Sequence, residues 1–164
     1  MIGLETDRLV FRQWQKSDVK AFSGFFASEE NARFVGGVQN EEQSWRLMAS
    51  YVGHYVLNGY SYLAVTEKGS EALIGSIGLW NSDPWPEPEI GYWLLPEFQG
   101  KGYGAEAGIA LKDYALNQLK FDTLVSYIDS RNEASKKLAL RLGGKYDGTV
   151  ELLSFGLHEV YRYK

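Results

Sequence analysis

The chain has 164 residues, 17 Lys plus Arg against 21 Asp plus Glu, a formal net charge of -4, and no cysteine. This predicts one domain over residues 1–164, without the basic face of a general nucleic-acid binder and without a disulfide frame, a thiolate zinc site or an acyl-cysteine intermediate. Hydrophobic residues at 45% and aromatic residues at 15% exclude a disordered segment.

Glu5, Asp7 and Arg8 fall where a signal peptide would need an apolar core, so a cytoplasmic protein is expected. Arg8 to Trp14 alternates as an opening strand, and Asp18 is placed to cap a helix carrying Val19, Phe22, Phe25 and Phe26. Asn40 and Gln43 have capping-box spacing, and Trp45, Met48, Val52, Tyr55 and Val56 share one face of a second helix that ends near Asn58-Gly59. Leu47 to Thr66 carries no charge but is interrupted by Ser50, Gly53, His54, Asn58 and Gly59, so it reads as helix then strand, with no membrane span.

Tyr60 to Thr66 and Leu73 to Trp80 are two strands of a hairpin, joined through the turn Glu67-Lys68-Gly69-Ser70-Glu71. Three prolines make Asp83 to Pro88 a loop, after which Glu89 to Leu94 is a further strand. A glycine cluster then leads into a helix from Ala105 to Leu119, and Thr123 to Ile128 returns to the sheet as a parallel strand through that helix. Asn132 caps a helix through Leu138, Ala139 and Leu142, which Gly143-Gly144 ends, and two closing strands reach Tyr163. The order β-α-α-β-β-β-α-β-α-β-β predicts an α+β domain on one mixed, mostly antiparallel sheet with helices on both faces.

The segment with the most chemistry is Gln99-Gly100-Lys101-Gly102-Tyr103-Gly104, between a strand end and a helix start. A helix start leaves backbone N–H groups unpaired, and glycines let a pyrophosphate approach them along the favourable end of the helix dipole. No Lys followed by Ser or Thr completes a Walker loop. Gly102 to Ala107 matches G-x-G-x-x-A, but Asp122 would precede the next strand instead of ending it, and one crossover does not make a doubly wound sheet.

Gln99, Gly102 and Gly104 fill the specified positions of a Q/R-x-x-G-x-G/A loop, which resembles the acetyl-coenzyme A motif of the GNAT N-acetyltransferase superfamily. The order of elements is similar to that family over nearly the whole chain. Asn132-Glu133-Ala134-Ser135, Glu89 to Leu94 and Glu5 to Leu9 also resemble its RimJ/RimL-type branch, whose members modify protein amino termini and other amines.

The resemblance implies the GNAT fold with acetyl-coenzyme A as cosubstrate, and no metal. It implies that backbone groups of Tyr92, Trp93 and Leu94 meet the pantetheine arm, one amide polarising the thioester carbonyl. Gln99, Gly100, Lys101, Gly102, Tyr103 and Gly104 would hold the pyrophosphate, and Asn132 would anchor the arm or cap its helix. Without cysteine, the acetyl group passes directly to a neutral amine in a ternary complex. Glu89 is the candidate base, with Glu87 and Asp83 in reserve. Many family members carry a tyrosine acid seven positions after the asparagine; this chain has Ala139 there, which leaves Ser135 as the substitute.

Trp80, Trp85, Trp93 and Tyr92 surround the proline-rich loop, and Phe34-Val35-Gly36-Gly37 precedes the second helix. The resemblance places both segments at the acceptor groove, where Trp85 and Glu87 would bind the amine, whether a peptide or protein N-terminus or a small molecule. A noncatalytic coenzyme-binding sensor on the same fold is the alternative, and the chain would be a monomer or a homodimer paired through a closing strand.

Overall fold

The structure, a computed structural model, describes all residues, Met1 to Lys164. Strands β1 (Leu9–Arg12), β2 (Tyr62–Glu67), β3 (Leu73–Trp80), β4 (Glu89–Leu94), β5 (Val125–Ile128), β6 (Lys145–Glu151) and β7 (Leu157–Arg162) form one seven-stranded sheet in the order β1-β2-β3-β4-β5-β7-β6. The β4–β5 pair is parallel and the others are antiparallel.

The helices are α1 (Val19–Ala27), α2 (Glu29–Ala32), α3 (Glu41–Asn58), α4 (Tyr103–Asn117) and α5 (Glu133–Arg141). Side chains alternate across a strand, so neighbours in one strand reach opposite layers. Leu63 and Val65 pack with Ala107 and Leu111 of α4, whereas Ala64 packs with Phe22 of α1 and Met48 of α3. The mixed sheet with two helical layers is therefore as expected.

Three local expectations are corrected. Asp18 does not cap α1: its carboxylate accepts from the two terminal guanidinium nitrogens of Arg12 at 2.8 Å and from the Gln15 N–H at 2.8 Å, ahead of the helix. The short helix α2, capped by Ser28, was not anticipated. On α3 the buried face is Ser44, Met48, Tyr51 and His54, while Trp45 and Val56 are exposed. His54 makes this possible, because its Nδ1 meets the Tyr60 carbonyl at 2.8 Å and its Nε2 accepts from the Asn81 N–H.

The helix ends otherwise follow the sequence signals. Asn40 and Gln43 exchange both capping-box bonds, and the N–H groups of Gly143 and Gly144 close α5 on the carbonyls of Leu140 and Ala139.

Candidate active site

The site begins where β4 and β5 part. Glu89 opposite Val125 is the only register between these strands, supported by the Val125 N–H on the Pro88 carbonyl at 3.1 Å and the Ser126 hydroxyl on the Ile90 carbonyl at 2.6 Å. Beyond that point β4 keeps its ladder with β3 alone. The Leu95 N–H donates to Ile74. Antiparallel alternation therefore commits the Trp93 backbone to Ser76 and turns the N–H groups of Tyr92 and Leu94 into the open wedge.

A groove of about 620 Å³ runs from that wedge past Gln99, Gly100, Gly102 and Gly104. Gly100 and Gly102 have φ of 75° and 81°, a left-handed backbone that a side chain disfavours. The N–H groups of Gly100 through Ala105 donate to nothing within the protein, so six unpaired donors line one turn. Arg8 braces the loop from behind, donating to the Lys101 carbonyl at 3.0 Å and to Glu106 at 2.6 Å. These donors fit the pyrophosphate of a coenzyme.

On the other side of the wedge lies a smaller cavity of about 290 Å³. It shares Phe34, Val35, Tyr92, Trp93, Asn132 and Ser135 with the groove, so the two spaces adjoin at the open edge of β4. Glu89 reaches into it and is buried. Its carboxyl accepts from Trp85 Nε1 at 2.9 Å and lies 3.4 Å from the Tyr127 N–H. Burial pushes that carboxyl up to about 8, an effect only partly offset by these two donors. A carboxyl that titrates at about 8 on the wall of the smaller cavity is suited to accepting a proton from an amine.

The sequence-predicted residues separate into three groups. Glu89, Trp85, Tyr92, Trp93, Asn132 and Ser135 line the acceptor-side cavity, and Leu94, Gln99, Gly100, Gly102 and Gly104 line the groove. Glu87 is turned away from the cavity, held by two bonds from Arg162 at 2.8 and 2.9 Å and by Thr123. This ion pair holds its carboxyl below the ordinary range and corrects the expected substrate role. Lys101 is exposed with its ammonium 5.2 Å from the Phe98 ring, and the Tyr103 side chain is buried with its hydroxyl donating to Glu67, so each brings only its backbone to the loop.

Asn132 caps α5 through a 3.2 Å bond from the Ser135 N–H. The Ser135 carbonyl accepts from the Tyr92 hydroxyl at 3.0 Å, which ties α5 to β4 across the wedge. Ala139 is fully buried against Ile128 and Tyr161 and has no access to the site. Arg33, Lys137 and Arg141 also line the groove, and sequence reasoning missed them. Exposed cations on helix surfaces have no motif; only the fold brings three of them to one groove.

Residues 8–145 match the description of the acetyltransferase (GNAT) domain. The chain is 32% identical to a crystal structure of the acetyltransferase from Agrobacterium tumefaciens str. C58, with a TM-score of 0.90 over 98% of this chain and 93% of the other. It is 27% identical over 150 residues to the uncharacterized N-acetyltransferase YoaA of Bacillus subtilis (strain 168), covering 90% of this chain and 85% of that one. It also shares the fold of RimL, a ribosomal L7/L12 alpha-N-protein acetyltransferase solved with coenzyme A, at 18% identity and a TM-score of 0.77 over 98% and 96% of the two chains.

Proposed function

The chain belongs to the GNAT acetyltransferase family, and from that premise we propose that it transfers an acetyl group directly from acetyl-coenzyme A to a primary amine in a ternary complex. The observation that carries this reading is Glu89, buried on the wall of the cavity that adjoins the groove, with Trp85 donating to its carboxylate. Acetyl-coenzyme A supplies an activated acetyl thioester. The loop N–H groups of Gly100 to Ala105 hold its pyrophosphate, with Arg33, Lys137 and Arg141 adding positive charge along the groove.

The Tyr92 or Leu94 N–H, both turned into the wedge, would polarise the thioester carbonyl, where one preorganised donor is worth about 3 kcal/mol in the transition state. Glu89 takes the proton from the incoming ammonium. For an α-amine, which titrates at about 8 as Glu89 does, the transfer is close to balanced; for an alkylamine, which titrates at about 10, it runs uphill by about 2 units. The Ser135 hydroxyl, which has no partner within the protein and lines both cavities, gives its proton to the departing sulfur and takes in exchange the second proton that the attacking nitrogen loses as the amide forms, while Glu89 releases the first to solvent.

The acceptor is either a protein N-terminal α-amine, as the RimJ/RimL resemblance suggests, or a small-molecule amine. No helix is long and apolar enough to cross a membrane, and the reading is of a cytoplasmic enzyme. Calorimetric titration with acetyl-coenzyme A, with NADH as control, followed by thiol release across a panel of amines, tests the proposal. Binding with amine-dependent thiol release supports it; binding with no release from any amine favours the sensor.

A further inference from the structure

We infer that the acceptor is a small primary monoamine carrying one aromatic group and no carboxylate, an arylalkylamine in chemical class. The inference rests on the transferase reading and narrows its acceptor.

The cavity of about 290 Å³ lies at the lower end of the range for small-molecule sites, about 300–1,000 Å³. Its walls are rings: Tyr51 stacks on Tyr62 with centroids 4.9 Å apart, Trp80 meets Tyr51 edge to face at 5.8 Å, and Trp85 lies beside Glu89. Gly91 makes room for this arrangement, since a Cβ there would stand 1.8 Å from the Tyr62 hydroxyl. Such walls take a planar apolar body and strengthen the hold on a cation near their faces.

The charges are few. Glu89, Asp129 and His158 are the acidic and histidine groups on the lining, and neither Lys nor Arg lines it. Arg131 grips Asp129 at 2.8 and 2.9 Å and holds its carboxyl down to about 2, so that carboxylate is already paired. Glu89 remains for one ammonium. A polyamine or an aminoglycoside would bring further cations with no partner, and a free amino acid would bury a carboxylate with no Lys or Arg on the lining to meet it.

The mouth is also restricted. Phe155 packs on Trp85 at 5.8 Å, and a Cβ on Gly36 would stand 3.8 Å from its ring, so the segment after β6 closes toward the turn after α2. A peptide chain leaving the cavity on this side would have to part Phe155 from Trp85.

The test compares 2-phenylethylamine and tryptamine with phenylalanine, spermidine and a peptide with a free N-terminus, reading kcat/KM by thiol release from acetyl-coenzyme A. The two arylalkylamines are expected to exceed each of the others by at least about 100-fold. Equal or better use of the peptide, spermidine or phenylalanine would overturn the inference and leave the transferase standing. Failure of every amine to release thiol, with acetyl-coenzyme A bound, would overturn the transferase reading and this inference with it.

Discussion

Glu89 holds its proton more tightly in the folded chain than in the unfolded one, about 8 against 4.5, because burial disfavours its charge. Between those values the native state binds more protons than the unfolded state, so Glu89 makes stability fall as pH rises from about 4.5 to 8. Glu89→Gln removes this dependence. Urea unfolding at pH 6 and pH 9 should show a smaller loss of stability at the higher pH in the variant than in the parent protein. Equal losses would mean that Glu89 is not desolvated. Trp85→Phe deletes the N–H that stabilises the ionised carboxylate. The Glu89 titration should then move upward by about 1 unit, from a charge-assisted bond of about 1.5–3 kcal/mol spread over a neighbour that relaxes. Its readout is the pH profile of acetyl transfer, and restoring an indole-like donor should return the profile.

At the scale of elements, the loop before α4 combines two legible signals, its glycines and its position ahead of a helix. Gly102→Ala places a Cβ at φ of 81°, a strain of about 1–2 kcal/mol. The loop relieves it by moving its N–H groups, so acetyl-coenzyme A should bind about 5- to 30-fold more weakly by calorimetry. Unchanged affinity would remove this loop from the coenzyme site. Strand β4 was legible as a strand, but which of its amides are free depends on the ladder with β3, and that excluded Trp93 while retaining Tyr92 and Leu94. Glu87 was misplaced for a similar reason: its partner Arg162 lies 75 residues away, and no local pattern announces a distant ion pair. The α3 face was misread because two polar residues, Ser44 and His54, are buried in it, which a hydrophobic pattern does not register.

Across the whole molecule, the sheet is continuous in order yet barely joined between β4 and β5. The groove opens there, lined by β4 and the loop before α4 on one side and by α5, which follows β5, on the other. A ligand that spans this division binds the folded chain alone. At 100 times its Kd, coenzyme A should stabilise the fold by about 2.7 kcal/mol, a rise in Tm of about 5–10 °C. No rise at that concentration would contradict a site between the two halves. The element order, the mixed sheet and the loop were readable from the chain because they are written in local periodicity and capping. Part of the acceptor cavity was readable, in Phe34, Val35, Trp80, Trp85, Tyr92 and Trp93, but the walls from α3, β2, β5 and the segment after β6 were not, because those elements meet only in the folded domain.

The central claim is that Glu89, on the wall of the smaller cavity, is the base. Its most direct test is the pH dependence of kcat/KM for acetyl transfer, measured for the parent protein and Glu89→Gln with one alkylamine that itself titrates at about 10. The parent should show an ascending limb that breaks near 8, whereas the variant should lose about 10²- to 10⁴-fold in rate together with that break, leaving only the titration of the amine itself. The same limb at the same rate in both proteins would contradict the account.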